Sequence, residues 1–168
     1  MRSNELLTDA YDRIRQGVHR LADECTDRDL TYRPDAEANS IAWLIWHLTR
    51  VMDDHVSEIA GSPQVWTSQE WVGRFGLPLP DSDTGYGHTT DQVAAVVAPA
   101  ELLVGYHDAV QSMVSDVVLG LDANDLDRII DRRWDPPVTV GVRLVSVITD
   151  DLAHLGQAAY VLGLSQRR

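Results

Sequence analysis

Residues 149–163 read TDDLAHLGQAAYVLG, and this stretch decides the fold. Its apolar residues recur at steps of three and four, the period of an α-helix with one buried face. Asp150 and His154 stand one turn apart within it. Residues four apart on a helix share a face at about 6 Å between Cβ atoms, close enough to hold one metal ion between them. Upstream, residues 40–55 read SIAWLIWHLTRVMDDH and place His47 on another helical pattern. Two ligands from one helix and one from another leave a coordination position open, which points to a catalytic site more than to a structural one.

Working outward, Leu7, Tyr11, Ile14, Val18 and Leu21 mark the apolar face of a first helix. The connection TDRDLTYRPDAEAN follows, and Asn39 or Ser40 can cap a second helix through Ile41, Leu44, Leu48, Val51, Met52 and Ile59. Gly61, Ser62 and Pro63 stop it. Residues 62–89 are irregular, with a short helix expected at WTSQEWVGRF and turns in GLPLPDSDTGYGHTT. A connection of that length is often functional. One or two helical turns at Asp91–Val97 precede a third long helix, with Pro99 at its first position and Gly120 near its end. After IIDRRWDPPV, Thr139 caps a fourth helix expected to stop at Gly163. Neither an internal repeat nor strong strand alternation is visible. The expected fold class is all-α: a four-helix bundle, one domain over residues 1–168, with long loops over one end.

Composition narrows the chemistry. Cys25 is the only cysteine, which excludes an intrachain disulfide and a Cys-rich zinc site and suits a reducing cytoplasm. A net charge of −12 repels phosphate backbones, so nucleic acid is not an expected partner. The charged N-terminal stretch and the lack of a long apolar run predict neither export nor a membrane partner. All 14 basic residues are arginine, which rules out Schiff-base catalysis and a P-loop lysine.

Spacing alone leaves the metal site open. Arg143, Asp150, His154 and Gln157 form a polar row that would suit a solvent-facing side equally well. His19 with Asp23 and His55 with Glu58 show similar spacing without other signs of a site. His47, beside Trp43 and Val51, fits the edge of a core as readily as a ligand position. Asp54 lies on the His47 face about 10 Å further along, a pocket acid or a solvated one. Tyr86, His88 and Trp134 could line a substrate pocket with Trp66 and Trp71, or these aromatics could pin a long loop. Arg143 reads first as an ion-pair partner, and Cys25 as an ordinary half-buried thiol.

The segments NSIAWLIWHLTRVMDDHV, QVWTSQEWVGRFGLPLPDSDTGYGH and RRWDPPVTVGVRLVSVITDDLAHLGQAAYVLG carry a resemblance to the DinB-like metal-binding four-helix bundles, within them the mycothiol S-transferase branch. The resemblance covers nearly the whole chain. It implies a metal held by His47, Asp150 and His154, with Asp150 where much of the family has histidine. That substitution leaves a good zinc site and one that iron(II) also accepts. It further implies mycothiol as thiol co-substrate, deprotonated at the metal and attacking a small electrophile, with zinc the expected ion and a homodimer a possible assembly. The alternatives are a hydrolase that activates water at the same metal and a non-catalytic bundle that the metal stabilises.

Overall fold

The computed structural model describes residues 2–168. In chain order it contains α1 (Ser3–Glu24), α2 (Asp27–Thr31), α3 (Ile41–Ala60), α4 (Val65–Ser68), α5 (Trp71–Phe75), α6 (Thr90–Ala95), α7 (Ala100–Gly120), α8 (Ala123–Leu126), β1 (Ile129–Asp131), β2 (Val138–Thr139) and α9 (Val140–Ser165). The four long helices form an all-α bundle in which α3 and α1 each pack between α7 and α9. Consecutive long helices α1 and α3 therefore stand on a diagonal, as do α7 and α9.

Side-chain contacts give the directions. Asn4 donates to the Leu119 carbonyl at 3.2 Å while Arg15 and His19 meet Asp108 at 2.7 and 2.8 Å, so α1 and α7 run antiparallel. His47 faces Asp150 and His154 while His55 meets Arg143 at 3.4 Å, so α3 and α9 are also antiparallel. Beyond the end of α7, Arg128 donates to the Ile59 carbonyl near the end of α3, at 3.0 Å. Helices α3 and α7 thus run the same way, and the chain between them must travel the full length of the bundle. That requirement explains the long irregular segment 61–99, because parallel neighbours cannot be joined by a tight turn.

Local chemistry accounts for most element ends. Ser40 Oγ accepts from the Trp43 amide, and Thr139 caps α9 by accepting from the Val142 amide. Gly61 ends α3 at φ 66°, a conformation that glycine adopts without the Cβ clash. Four expectations need correction. Pro99 is the cap of α7 and not its first residue. Helix α9 runs through Gly163 to Ser165, since nothing there imposes a positive φ and Gln166 still donates to the Leu162 carbonyl. The WTSQEWVGRF segment divides into two short helices around Glu70 at φ 60°. Short elements also arise where only connections were expected: α2, α8 and the two-stranded hairpin, which pairs Ile129 with Thr139 and Asp131 with Val138.

The core gathers around α3, where Trp46, Leu48 and Met52 are fully buried beside Tyr106, Val110 and Val114 of α7. Each such large apolar side chain contributes roughly 1.5–3 kcal/mol by leaving water. Among the described residues, no helix is long and apolar enough to cross a membrane.

Candidate metal centre

Helix α3 presents one side chain per turn to the returning crossover, and the crossover is bonded to each. Asp53, fully buried, accepts from the Val65 and Trp66 amides at 2.8 and 2.7 Å and from the Tyr106 hydroxyl at 2.8 Å. Arg50 Nε donates to the Asp83 carbonyl at 3.0 Å. His47 Nδ1 donates to the Thr84 carbonyl at 2.5 Å. Trp43 Nε1 donates to His88 Nδ1 at 3.0 Å, and His88 Nε2 lies 3.0 Å from the Asp83 carboxylate. The spacing of three, three and four keeps these four residues on one helical face.

This lacing orients His47. Its ring lies on Trp43 with centroids 4.5 Å apart and planes at 17°, and with Nδ1 committed to Thr84 the free lone pair is on Nε2. Burial lowers its pKa, with Thr84 opposing and His154 reinforcing, so the ring is neutral near pH 7 and able to coordinate. Gly85 makes the approach possible. It sits at φ +93°, and a Cβ there would come within 2.6 Å of His47 Nδ1 and 3.0 Å of Trp46.

On α9, His154 Nδ1 donates to Gln157 Oε1 at 2.9 Å, and its Nε2 lies 3.6 Å from Asp150 Oδ1. Its ring meets that of His47 edge to face at 4.7 Å between centroids. The structure brings His47, Asp150 and His154 together so that one ligating atom of each lies within 4.8 Å of the others. Two ligands about 2.1 Å from one tetrahedral ion stand about 3.4 Å apart, close to the Asp150–His154 separation. Asp150 Oδ2 is buried without a hydrogen-bond partner, as suits an oxygen that a cation would satisfy. The donor set therefore fits a divalent ion, and a His-His-Asp group could bind one here.

The neighbouring carboxylate behaves differently. Asp151 is fully buried on the core side of α9, and burial, then Asp150, pushes its pKa well above the carboxylate range. One residue of rotation, about 100° of helix, separates a group facing the metal centre from one facing Tyr11.

The centre opens on a cleft of about 350 Å³ between α3 and α9, lined at one end by His47, Asp150 and Thr84 and at the other by Asp54 and His55. Tyr86 stands at its mouth. His88 and Trp134 are not brought to it. His88 packs behind His47 against Trp46, with ring centroids 5.8 Å apart, and pins the loop. Trp134, 66% exposed, projects from the β1–β2 hairpin. Trp66 and Trp71 are core residues around Tyr106. Asp54 lines the cleft and accepts from Gln64 at 2.6 Å. Cys25 is half-buried, its thiol pushed up to about 11 by burial and then by Asp29 and Glu24, and so is protonated and inert near neutrality.

His55 was visible in the sequence only as one of several chance pairs, yet it lies in the cleft wall. Arg143 holds its guanidinium 3.4 Å from both ring nitrogens, and burial, then Arg143, lowers its pKa. Arg143 is in turn held at 3.4 Å by Asp131, whose carboxyl is kept at about 2, chiefly by hydrogen bonds from Arg133. The signal that would have found His55 is its place eight residues, two helical turns, after His47.

No curated relative matches the sequence. A solved structure of a conserved protein from Enterococcus faecalis is 32% identical and superposes with a TM-score of 0.93, over 100% of this chain and 99% of that one. The family model of the DinB superfamily matches residues 10–158. With helices, crossover and the His-His-Asp group in place, the chain belongs to the DinB superfamily.

Proposed function

We propose that the protein is a metal-dependent thiol S-transferase that joins mycothiol to small electrophiles, with the ion held by His47, Asp150 and His154. The observation that carries this is the arrangement of the three donors. Both imidazoles have Nδ1 tied to a carbonyl, both leave Nε2 free, and Asp150 keeps one buried oxygen unpartnered beside an open cleft. Three protein donors and an accessible space leave room for a substrate atom at the ion. A bound divalent ion would supply the chemistry of thiol deprotonation near neutral pH.

The chain's own residues prepare that chemistry. Trp43 and Thr84 hold His47 in one orientation and one tautomer, and Gln157 does the same for His154. Asp150 lowers the charge of the centre without filling it. Cys25 is too basic and too far along α1 to serve as the nucleophile, so the thiol comes from a co-substrate. The choice of mycothiol rests on the sequence resemblance, and zinc is the proposed ion.

The test is conjugation of monochlorobimane by zinc-loaded protein with mycothiol, with glutathione and with no thiol. The expected result is metal-dependent acceleration selective for mycothiol and lost in His154→Ala. Unaltered turnover in that variant would sink the proposal. Product formation without thiol would move the activity to hydrolysis. A large drop in melting temperature on chelation, with no activity, would make the ion structural.

A further inference from the structure

The cleft at the metal centre does not end at His55. Beyond it lies a second chamber of about 410 Å³, lined by Glu58, Ser62, Gln64, Arg133 and Arg143, and Asp54 and His55 line both spaces. Together they make a groove that leads from the metal donors toward the β1–β2 hairpin. On α3 this groove runs from His47 to Glu58, eleven residues or about 16 Å of helix axis. An extended residue spans about 3.6 Å, so a cysteinyl group with its sulfur at the ion leaves most of that length unfilled.

The two ends of the groove differ in chemistry. Near the donors, Val51 and Val147 give it apolar sides. The far chamber is polar and of mixed charge. Asp131 takes both of its guanidinium groups, Arg133 at 3.0 and 2.8 Å and Arg143 at 3.4 Å. Among the described residues, neither Asp54 nor Glu58 forms an ion pair with them. Asp54 accepts from the Gln64 amide at 2.6 Å, and Glu58 stands exposed on the chamber wall. Carboxylate acceptors and guanidinium donors therefore face the same space, each with hydrogen-bonding capacity to spare.

That mixture selects among ligands. An anionic group in the chamber would face Asp54 and Glu58, and a cationic one would face Arg133 and Arg143. A hydroxyl both donates and accepts, so neighbouring hydroxyls on one ring satisfy carboxylate and guanidinium together without bringing a charge of their own. We infer that the chamber beyond Asp54 and His55 binds a neutral, polyhydroxylated part of the thiol co-substrate and so sets its sulfur at the metal centre. The inference rests on the S-transferase reading for the identity of that ligand. Mycothiol carries such a part, an amide-linked glucosamine joined to inositol, whereas glutathione carries two carboxylates. Asp54 and Glu58 thereby become specificity residues that stand apart from the metal donors.

The test is isothermal titration of the chelator-treated full chain with N-acetylglucosaminyl-inositol, which has the sugar and cyclitol of mycothiol and no thiol. Saturable binding is expected for wild type, weakened about tenfold in Glu58→Ala and in Asp54→Asn, each with unchanged far-ultraviolet circular dichroism. S-methylglutathione, with its two carboxylates and no free thiol, is expected not to bind. In bimane conjugation by zinc-loaded protein, the preference in kcat/KM for mycothiol over N-acetylcysteine is expected to fall about tenfold in the same two variants. Probe binding that depends on Glu58 in a protein that conjugates no thiol would uphold the chamber and remove the S-transferase reading. Mycothiol conjugation without probe binding, binding indifferent to both variants, or S-methylglutathione bound as tightly as the probe would each overturn the inference and leave that reading in place.

Discussion

The interior side of α3 and the exterior side of α9 reverse the usual distribution of polarity. Arg50 and Asp53 are completely buried on α3, whereas Val142, Val145 and Leu152 of α9 face outward. The buried charges are tolerable because each is bonded to backbone of the crossover, as an unpaired buried ion would cost several kcal/mol. The exposed apolar groups have no such compensation within one chain. Inside, polarity organises a loop around a chemical centre; outside, apolar side chains stand on a face without charges.

The most severe way to break the interior side is at the metal centre. His154→Ala should reduce metal affinity by more than about 100-fold, since loss of a ligand exceeds loss of a supporting contact. Isothermal titration with zinc into chelator-treated protein checks this. The helical content should stay the same, because His154 is not part of the core cluster.

Next in size is Asp53→Ala. It leaves the Val65 and Trp66 amides and the Tyr106 hydroxyl without their acceptor, and Arg50 without the carboxylate 3.7 Å away. Loss of about 3–5 kcal/mol in urea unfolding is expected. A loss within the range of a surface substitution would show that the lacing does not hold the crossover.

Gly85→Ala and Gly87→Ala separate close approach from backbone strain. Both glycines have positive φ, +93° and +73°, but only at Gly85 would a Cβ meet His47. Gly87→Ala should cost about 1 kcal/mol. Gly85→Ala should cost about 1–3 kcal/mol and weaken metal binding about tenfold by moving His47. Equal metal affinities for the two variants would remove Gly85 from the centre.

A further effect is a pH slope. His107 is fully buried, with Nδ1 donating to Thr49 Oγ1 at 3.0 Å and its pKa brought down to about 4, first by burial. A histidine depressed in the fold contributes stability that is complete above its unfolded pKa near 6.5 and is lost as pH falls toward about 4. Its contribution to acid destabilisation is at most about 3 kcal/mol across that window. Urea unfolding at pH 7 and pH 4.5 should show a shallower difference in His107→Gln than in wild type.

Much of the helical skeleton was legible in the chain because helix periods and caps are local. The steps of Leu7 to Leu21 and of Ile41 to Ile59, Ser40 and Thr139 as caps and Gly61 as a stop depend on residues within a turn or two. Asp150 and His154 share a face for the same reason. Distant contacts join the elements that the sequence reading misplaced: the end of α9, past Gly163, bonds to α2 through Ser165 and Asp29, and Asp131 enters a hairpin that delivers it to Arg143.

Only the tertiary structure could place the rest. Amphipathic periodicity states that a face is buried, not which helix will cover it, so the meeting of His47 with Asp150 and His154 follows from the antiparallel packing of α3 on α9. The same packing sends Asp150 to the cleft and Asp151 to the core, although their sequence context is nearly identical. The acceptor that orients His47 is a carbonyl 37 residues away, and no side-chain pattern encodes the position of a carbonyl. Taken by itself, the sequence determined the helices and the pairs of residues one turn apart, because those are set by bonds between near neighbours. The bundle's connectivity, the completed donor set and the residues that support it were decided by long-range packing, where chain separation no longer limits which groups meet.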